Sequence, residues 1–267
     1  MQVINFITGE GYEVISFPDG EKHLKINELN KKEPVDVICR ITNSDELFLL
    51  MQLSDILNRQ CVVVDEILIT YLMTMRCDRL FSLEQPFSLG IVANVVNSFH
   101  ANTVTIIEPH SDVTLKLIKN SVAFRKMGKA DDENFIYCFP DRGASQRYDA
   151  PRNSNPIICS KIRDEKTGML TGFKLEDKGD YKKGMDIFVV DDLCDGGGTF
   201  LGIEKVLRPL CPRAIVLGVT HAIQKKGIEK VASVYDKVLI TNSYKNWEKE
   251  DLPHNVMVIE FPFESCT

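Results

Sequence analysis

The sequence predicts an α/β protein of two domains, each built on a mainly parallel sheet flanked by helices. Three observations carry that expectation. An apolar, β-branched run at residues 187–190 leads into Asp191 and Asp192, then Cys194, Asp195, Gly196, Gly197, Gly198 and Thr199. From Phe200 onward, Ile203, Val206, Leu207 and Leu210 recur at helical spacing, so the string reads as strand, tight loop and helix start, with Thr199 able to cap the helix. In that geometry backbone N–H groups converge on an anion, and acids at a strand's carboxyl end lie where open α/β sheets bind ligands. Similar short apolar strands and amphipathic helices follow one another along the chain. Finally, 267 residues with 44% hydrophobic content suffice for two domains with their own cores.

Composition narrows the function. A formal net charge of −6 supplies no basic surface for non-specific nucleic-acid binding, so any phosphate site is a local positive pocket on an acidic protein. The eight cysteines form no CxxC pairs, which indicates neither a zinc site nor a disulfide framework. With no signal-peptide pattern and no bilayer-length apolar run, the expected location is a reducing cytoplasm, with no membrane partner.

Taken in order, strands are expected at 3–8 and 35–40, with a half-buried strand at 22–26 after Phe17-Pro18-Asp19-Gly20-Glu21. Pro18-Asp19-Gly20 alone reads as a hairpin turn. A helix at 47–57 and a short strand at 61–64 precede the cluster Arg76-Cys77-Asp78-Arg79, which by itself suits a surface ion-pair loop. A helix at 86–99 is followed by a strand at 103–107 that ends in Glu108-Pro109-His110. The polar stretch 119–133 separates domains 1–130 and 131–267. Beyond it, a strand at 135–139 ends in Pro140-Asp141-Arg142-Gly143, and one at 156–159 leads to Lys161-Ile162-Arg163. Locally that basic pair suits the approach to a hairpin; residues 164–183 are polar and glycine-containing and are expected as a loop. Strands at 214–220 and 238–240 end in His221-Ala222 and Thr241-Asn242-Ser243, and an apolar tail covers 256–263.

The Asp191–Thr199 string resembles the ribose-phosphate loop of the phosphoribosyltransferase fold. The other clusters, in this order, resemble the ribose-phosphate diphosphokinases (phosphoribosyl-pyrophosphate, PRPP, synthetases), of which the chain looks like a compact, divergent member. The resemblance covers nearly the whole chain and implies two phosphoribosyltransferase-type domains. It implies ATP-binding roles for Phe17, Asp19 and Glu21, and for Arg76, Asp78 and Arg79, with Cys77 where the family has Gln. His110 and Asp141 inherit metal-positioning roles toward Mg²⁺, with His110 also counted among the catalytic residues. Lys161 and Arg163 match the Lys-x-Arg pair at the root of a mobile loop that stabilises transferred phosphoryl groups. Asp191 and Asp192 match the ribose-hydroxyl acids, and Asp195, Gly196, Gly197, Gly198 and Thr199 the 5-phosphate cradle. Two departures matter: Gly196 replaces the family's usual Thr, and Leu80, Ser82 and Glu84 replace basic residues.

The implied activity is transfer of the diphosphoryl group of MgATP to the 1-hydroxyl of a 5-phosphorylated ribose, releasing AMP. Ribose 5-phosphate is the default acceptor and ADP-ribose the bulkier alternative. The expected partners are ATP, the sugar phosphate and further copies of the chain in a dimer or hexamer. Two rival readings are a phosphoribosyltransferase of nucleotide or NAD salvage and a non-catalytic regulatory relative of the synthetases.

Overall fold

Residues 2–125, 127, 135–148, 155–164 and 169–261 are described by a computed structural model, and they fall into two units. One unit runs to Phe124 and the other spans Arg125–Phe261. Residues 130 and 131, between which the sequence places the domain boundary, lie outside the described residues.

In the first unit a five-stranded parallel sheet comprises β1 (Gln2–Asn5), β4 (Val35–Ile41), β5 (Val64–Leu72), β6 (Thr103–Ile107) and β7 (Ser121–Phe124), adjacent in that order. Every step moves the same way across the sheet, so right-handed crossovers put α1 (Ser44–Gln60), α2 (Ser88–Asn97) and α3 (Asp112–Leu117) on one face. Accordingly α1 touches α2, and α2 touches α3. The start of α1 is fixed by Asn43, whose side chain accepts from Glu46 N, while Glu46 reaches back to Thr42 N. Leu49, Leu50, Leu53 and Leu57 then recur at three- and four-residue spacing and bury the helix on the sheet. The antiparallel hairpin β2 (Tyr12–Ser16) and β3 (Lys22–Ile26) lies on α1, where Gln52 bonds both Leu24 N and Lys22 O.

The expected strand at 61–64 is corrected. Cys61 is the left-handed residue that ends α1 (φ 55°), and the strand is Val64–Leu72. Its leading acids, Asp65 and Glu66, masked the apolar run Ile67-Leu68-Ile69 in the sequence pattern.

The second unit is a seven-stranded sheet in the order β10 (Leu170–Asp177), β9 (Ile157–Arg163), β8 (Phe135–Phe139), β11 (Asp186–Cys194), β12 (Ile215–Ala222), β13 (Lys237–Thr241) and β14 (Val256–Ile259). Only the β9–β10 pair is antiparallel. From β8 the chain steps one way to β9, and from β11 it steps the other way. Alternate residues therefore face two apolar layers. Ile136, Cys138, Ile187 and Val189 pack with α5 (Gly198–Leu207) and α6 (Lys225–Ala232), whereas Tyr137, Phe139, Phe188 and Val190 pack with Ala144 of α4 (Arg142–Arg147). Three expectations are corrected here. The stretch 164–183 is not wholly loop, because Leu170–Asp177 pairs with β9, and its Phe173–Glu176 portion alternates apolar and polar residues. Residues 165–168 lie outside the described residues. β11 continues through both acids to Cys194, because β12 stays paired with it as far as Ala222. Finally, Thr199 does not cap α5; Gly197 is the N-cap, in a left-handed conformation (φ 79°).

Candidate active site

The switch point of the second sheet lies between β8 and β11, and open α/β sheets bind ligands outside the carboxyl ends of strands there. The residues at those ends form one connected polar group. Asp141, just past β8, uses Oδ1 to cap α4 through Ala144 N at 2.9 Å, and Oδ2 accepts from Lys161 Nζ of β9 at 3.1 Å. Burial pushes the Asp141 carboxyl up, but the Ala144 amide and the Lys161 and Arg147 charges outweigh it, leaving it below the usual carboxylate range. Arg163, two residues along β9, shares the strand face of Lys161 and is exposed.

At the far end of α4, Arg147 Nη2 donates to Asp191 Oδ1 at 2.7 Å and to Asp192 Oδ1 at 2.9 Å. Burial and the neighbouring Asp192 charge raise the Asp191 pKa well above its ordinary value, against the pull of Arg147. The Arg147 guanidinium is held firmly protonated: burial opposes its charge, but Asp192 and Asp191 more than compensate.

Beyond the acids the chain turns through Asp195, Gly196 and Gly197 into α5. Asp195 Oδ1 accepts from Gln224 Nε2 at 2.7 Å. No side chain caps α5, so the N–H groups of its first turn remain available to an anion. The left-handed Gly197 and a close approach of α6 fix this loop: a Cβ on Gly227 would sit 1.9 Å from the Asp195 carbonyl oxygen. By contrast, a Cβ on Gly196 or Gly198 meets nothing within 4 Å.

The ends of β12 and β13 are structural. His221 is wholly buried, with Nδ1 2.9 Å from Ser243 Oγ, and Thr220 O accepts from both Ser243 and Thr241. Beside them Trp247 is 1% exposed, and its indole N–H donates to Ala222 O at 3.1 Å.

In the first unit, Phe17, Asp19 and Glu21 occupy the β2–β3 turn, which Gly20 closes in a left-handed conformation (φ 93°). This is the hairpin turn that Pro18-Asp19-Gly20 predicted. Phe17 is exposed and tilts against His23, and Asp19 Oδ1 accepts from Glu21 N. The loop after β5 and the loop after β6 meet at Asp78. Burial raises its pKa, but the Ser111 hydroxyl, the Arg79 guanidinium at 3.3 Å and the His110 charge bring it below the ordinary value. Both loops carry strained backbone, with positive φ at Thr74 (64°) and at the buried Glu108 (43°). Such conformations cost about 1–3 kcal/mol each and concentrate at binding sites. Arg76 and Cys77 are exposed on the same β5 loop.

No family model matches the chain. Individual proteins do. A ribose-phosphate pyrophosphokinase of Pyrococcus furiosus is 24% identical over 241 residues, covering 86% of this chain and 85% of that protein. One from Campylobacter jejuni is 28% identical over 258 residues, covering 91% and 81%. The crystal structure of a phosphoribosylpyrophosphate synthetase from Mycobacterium smegmatis has the same fold, with a TM-score of 0.72 at 18% identity over 93% of this chain and 85% of that one. Over most of its length the chain is thus similar in sequence to ribose-phosphate pyrophosphokinases. It shares with the synthetase an α/β fold of two phosphoribosyltransferase-type domains.

Among the described residues, no group of three or more His, Cys, Asp or Glu side chains could hold a metal ion. Mg²⁺ delivered with nucleotide phosphates takes one or two carboxylates and keeps several of its waters. Asp141 is ionised and retains acceptor capacity beyond its two bonds. Among the described residues no helix is long and apolar enough to cross a membrane. Two participants escaped the sequence motifs. Gln224 gave no signal, because its partner Asp195 is 29 residues away. Arg147 gave a faint one, a basic residue one and a half turns after a helix-capping Asp.

Proposed function

We propose that this enzyme transfers the β,γ-diphosphoryl group of MgATP to the 1-hydroxyl of a 5-phosphorylated ribose. The hydroxyl oxygen attacks the β-phosphorus, the bond to the α-phosphate oxygen breaks, and AMP leaves as the 1-hydroxyl proton is lost. The observation that carries this reading is the switch-point group, where Lys161, Asp141, Arg147 and both β11 acids adjoin an uncapped helix start. Asp191 and Asp192 hold the 2- and 3-hydroxyls, and the amides from Asp195 to Thr199 take the 5-phosphate. Lys161 and Arg163 meet charge growing on the transferred group, a task that is mostly positioning and neutralisation. Phe17, Asp19, Glu21, Arg76, Asp78 and Arg79 bind ATP. Bound Mg²⁺ would supply charge neutralisation at the phosphate oxygens; the metal-holding candidates are Asp141 in the second unit and His110 in the first. Activity is expected to require Mg²⁺ or Mn²⁺, vanish with EDTA and not return with zinc; full turnover in chelator would contradict this.

Ribose 5-phosphate is the first acceptor to test. ADP-ribose is the second reading, favoured by the open space at Gly196, where the family usually has Thr. The discriminating measurement is kcat/KM for both acceptors, read as AMP release, in wild type and Gly196→Thr. If ADP-ribose is the substrate, the added side chain lowers its kcat/KM by roughly tenfold or more and spares ribose 5-phosphate. No AMP release from ADP-ribose, beside normal turnover of ribose 5-phosphate, rejects the second reading. AMP release with neither acceptor would favour a phosphoribosyltransferase or a regulatory protein.

A further inference from the structure

β9 leaves the core where its charged residues begin. Ile157 and Cys159 are buried, whereas Lys161, Ile162 and Arg163 are exposed. The side chains of the Lys161–Asp141 pair are 33% and 38% exposed, and ion pairs of that kind hold a strand only weakly. Its neighbour β10 is the edge of the sheet, and irregular pairing at Leu170–Gly172 and at Leu175–Asp177 leaves one regular stretch between them. In that stretch Phe173 stands opposite Lys161. Phe173 packs onto the apolar layer that holds Phe200 and Ile203 of α5. Its ring lies on the bare backbone of Gly202, where a Cβ would sit within 2.5 Å of Cδ2 and Cε2. Gly202 is one turn past Gly198, the first residue of that helix. Alanine is the better helix former, so a glycine inside α5 costs stability, and the notch it leaves for the ring is what the helix gains.

We propose that Phe173 is a positioning residue of the transfer reaction: its ring, seated in the Gly202 notch, sets where Lys161 stands relative to the start of α5. The proposal rests on the reading of Lys161 as the group that meets the transferred phosphoryl charge and of the α5 start as the acceptor-phosphate cradle. A lysine is a point charge on a flexible stem, and at an exposed strand end it takes its position from the backbone that carries it. Phe173 fixes that backbone by joining the rung of Lys161 to the helix that opens at the cradle. It acts through Lys161, and in such an arrangement a misplacement of about 1 Å is worth up to about 10²-fold in rate.

The test measures kcat as AMP release, and the dissociation constants of MgATP and of ribose 5-phosphate, each alone, by calorimetry. It uses the full chain and its Phe173→Ala, Gly202→Ala, Lys161→Ala and Phe173→Ala/Lys161→Ala variants. Phe173→Ala and Gly202→Ala are each expected to lower kcat by roughly tenfold or more and to change both dissociation constants less than about threefold. In the Lys161→Ala background, Phe173→Ala costs less than about threefold further, because no ammonium is left to position. A contact that serves packing alone would lower the urea midpoint and leave the kcat of the folded enzyme standing. A folded Phe173→Ala variant within twofold of the wild-type kcat overturns the proposal, and so does an undiminished loss in the Lys161→Ala background. If Phe173→Ala does not fold, Phe173→Leu combined with Gly202→Ala decides: the smaller side chain makes room for the new methyl and restores kcat, and no recovery overturns the proposal. A wild type that releases no AMP with ribose 5-phosphate or ADP-ribose would reject the diphosphoryl-transfer reading itself, and the role of Phe173 with it.

Discussion

Replacing Lys161 by alanine is expected to lower kcat by about 10²–10³-fold while changing nucleotide affinity less than roughly threefold. The ammonium stands on an edge hairpin, so its removal leaves the sheet and both apolar layers untouched. Its partner Asp141 keeps the α4 cap through Oδ1, so the helix that carries Arg147 stays formed. Without the Lys161 charge the Asp141 carboxyl titrates nearer its ordinary range, and an acid limb in kcat/KM moves to higher pH. The check is steady-state AMP release across pH, with nucleotide binding measured separately. A Lys161→Ala enzyme with unimpaired turnover would remove the main reason for assigning diphosphoryl transfer.

Gly227→Ala is expected to have the second large effect, at a position that touches no substrate. The new methyl would lie 1.9 Å from the Asp195 carbonyl oxygen, and the approach is close from the other side too, since a Cβ on Gly197 would sit 2.9 Å from the Gly227 carbonyl oxygen. Loop and helix must separate, at about 2–3 kcal/mol of stability, within the range of overpacked interiors. Because the displaced segment is the proposed phosphate cradle, acceptor affinity should fall by roughly tenfold or more. Urea denaturation followed by circular dichroism, together with acceptor titration, checks both. Gly196→Ala is the control, since that position is open. Equal behaviour of the two variants would show that the close approach of α6 does not shape the cradle.

The sequence made the candidate site more legible than the strand boundaries. The acids, the glycines and the Lys-x-Arg pair are local strings, and each falls at a strand end or helix start that its neighbours define. β6 and β8 follow the expected residues because they are apolar runs closed by turn residues. β5 and β10 were obscured where charged residues interrupt the apolar pattern, and pairing with a neighbouring strand decided the outcome. Thr199 looked like a cap because hydroxyl residues usually are, but the left-handed Gly197 starts the helix two residues earlier. Arg147 lies 44 residues from Asp191, a distance closed only by the parallel pairing of β8 with β11.

Trp247 is the only tryptophan of the chain, and it belongs to the second unit. Selective excitation of indole fluorescence therefore reports on that unit alone, from a position bonded to the end of β12, where Ala222 faces Cys194 just before the glycine turn into α5. Circular dichroism sees the strands and helices of both units. Superimposed on one denaturation experiment, the two signals measure whether the first and second units unfold as one cooperative block or in succession, with no label and no substitution.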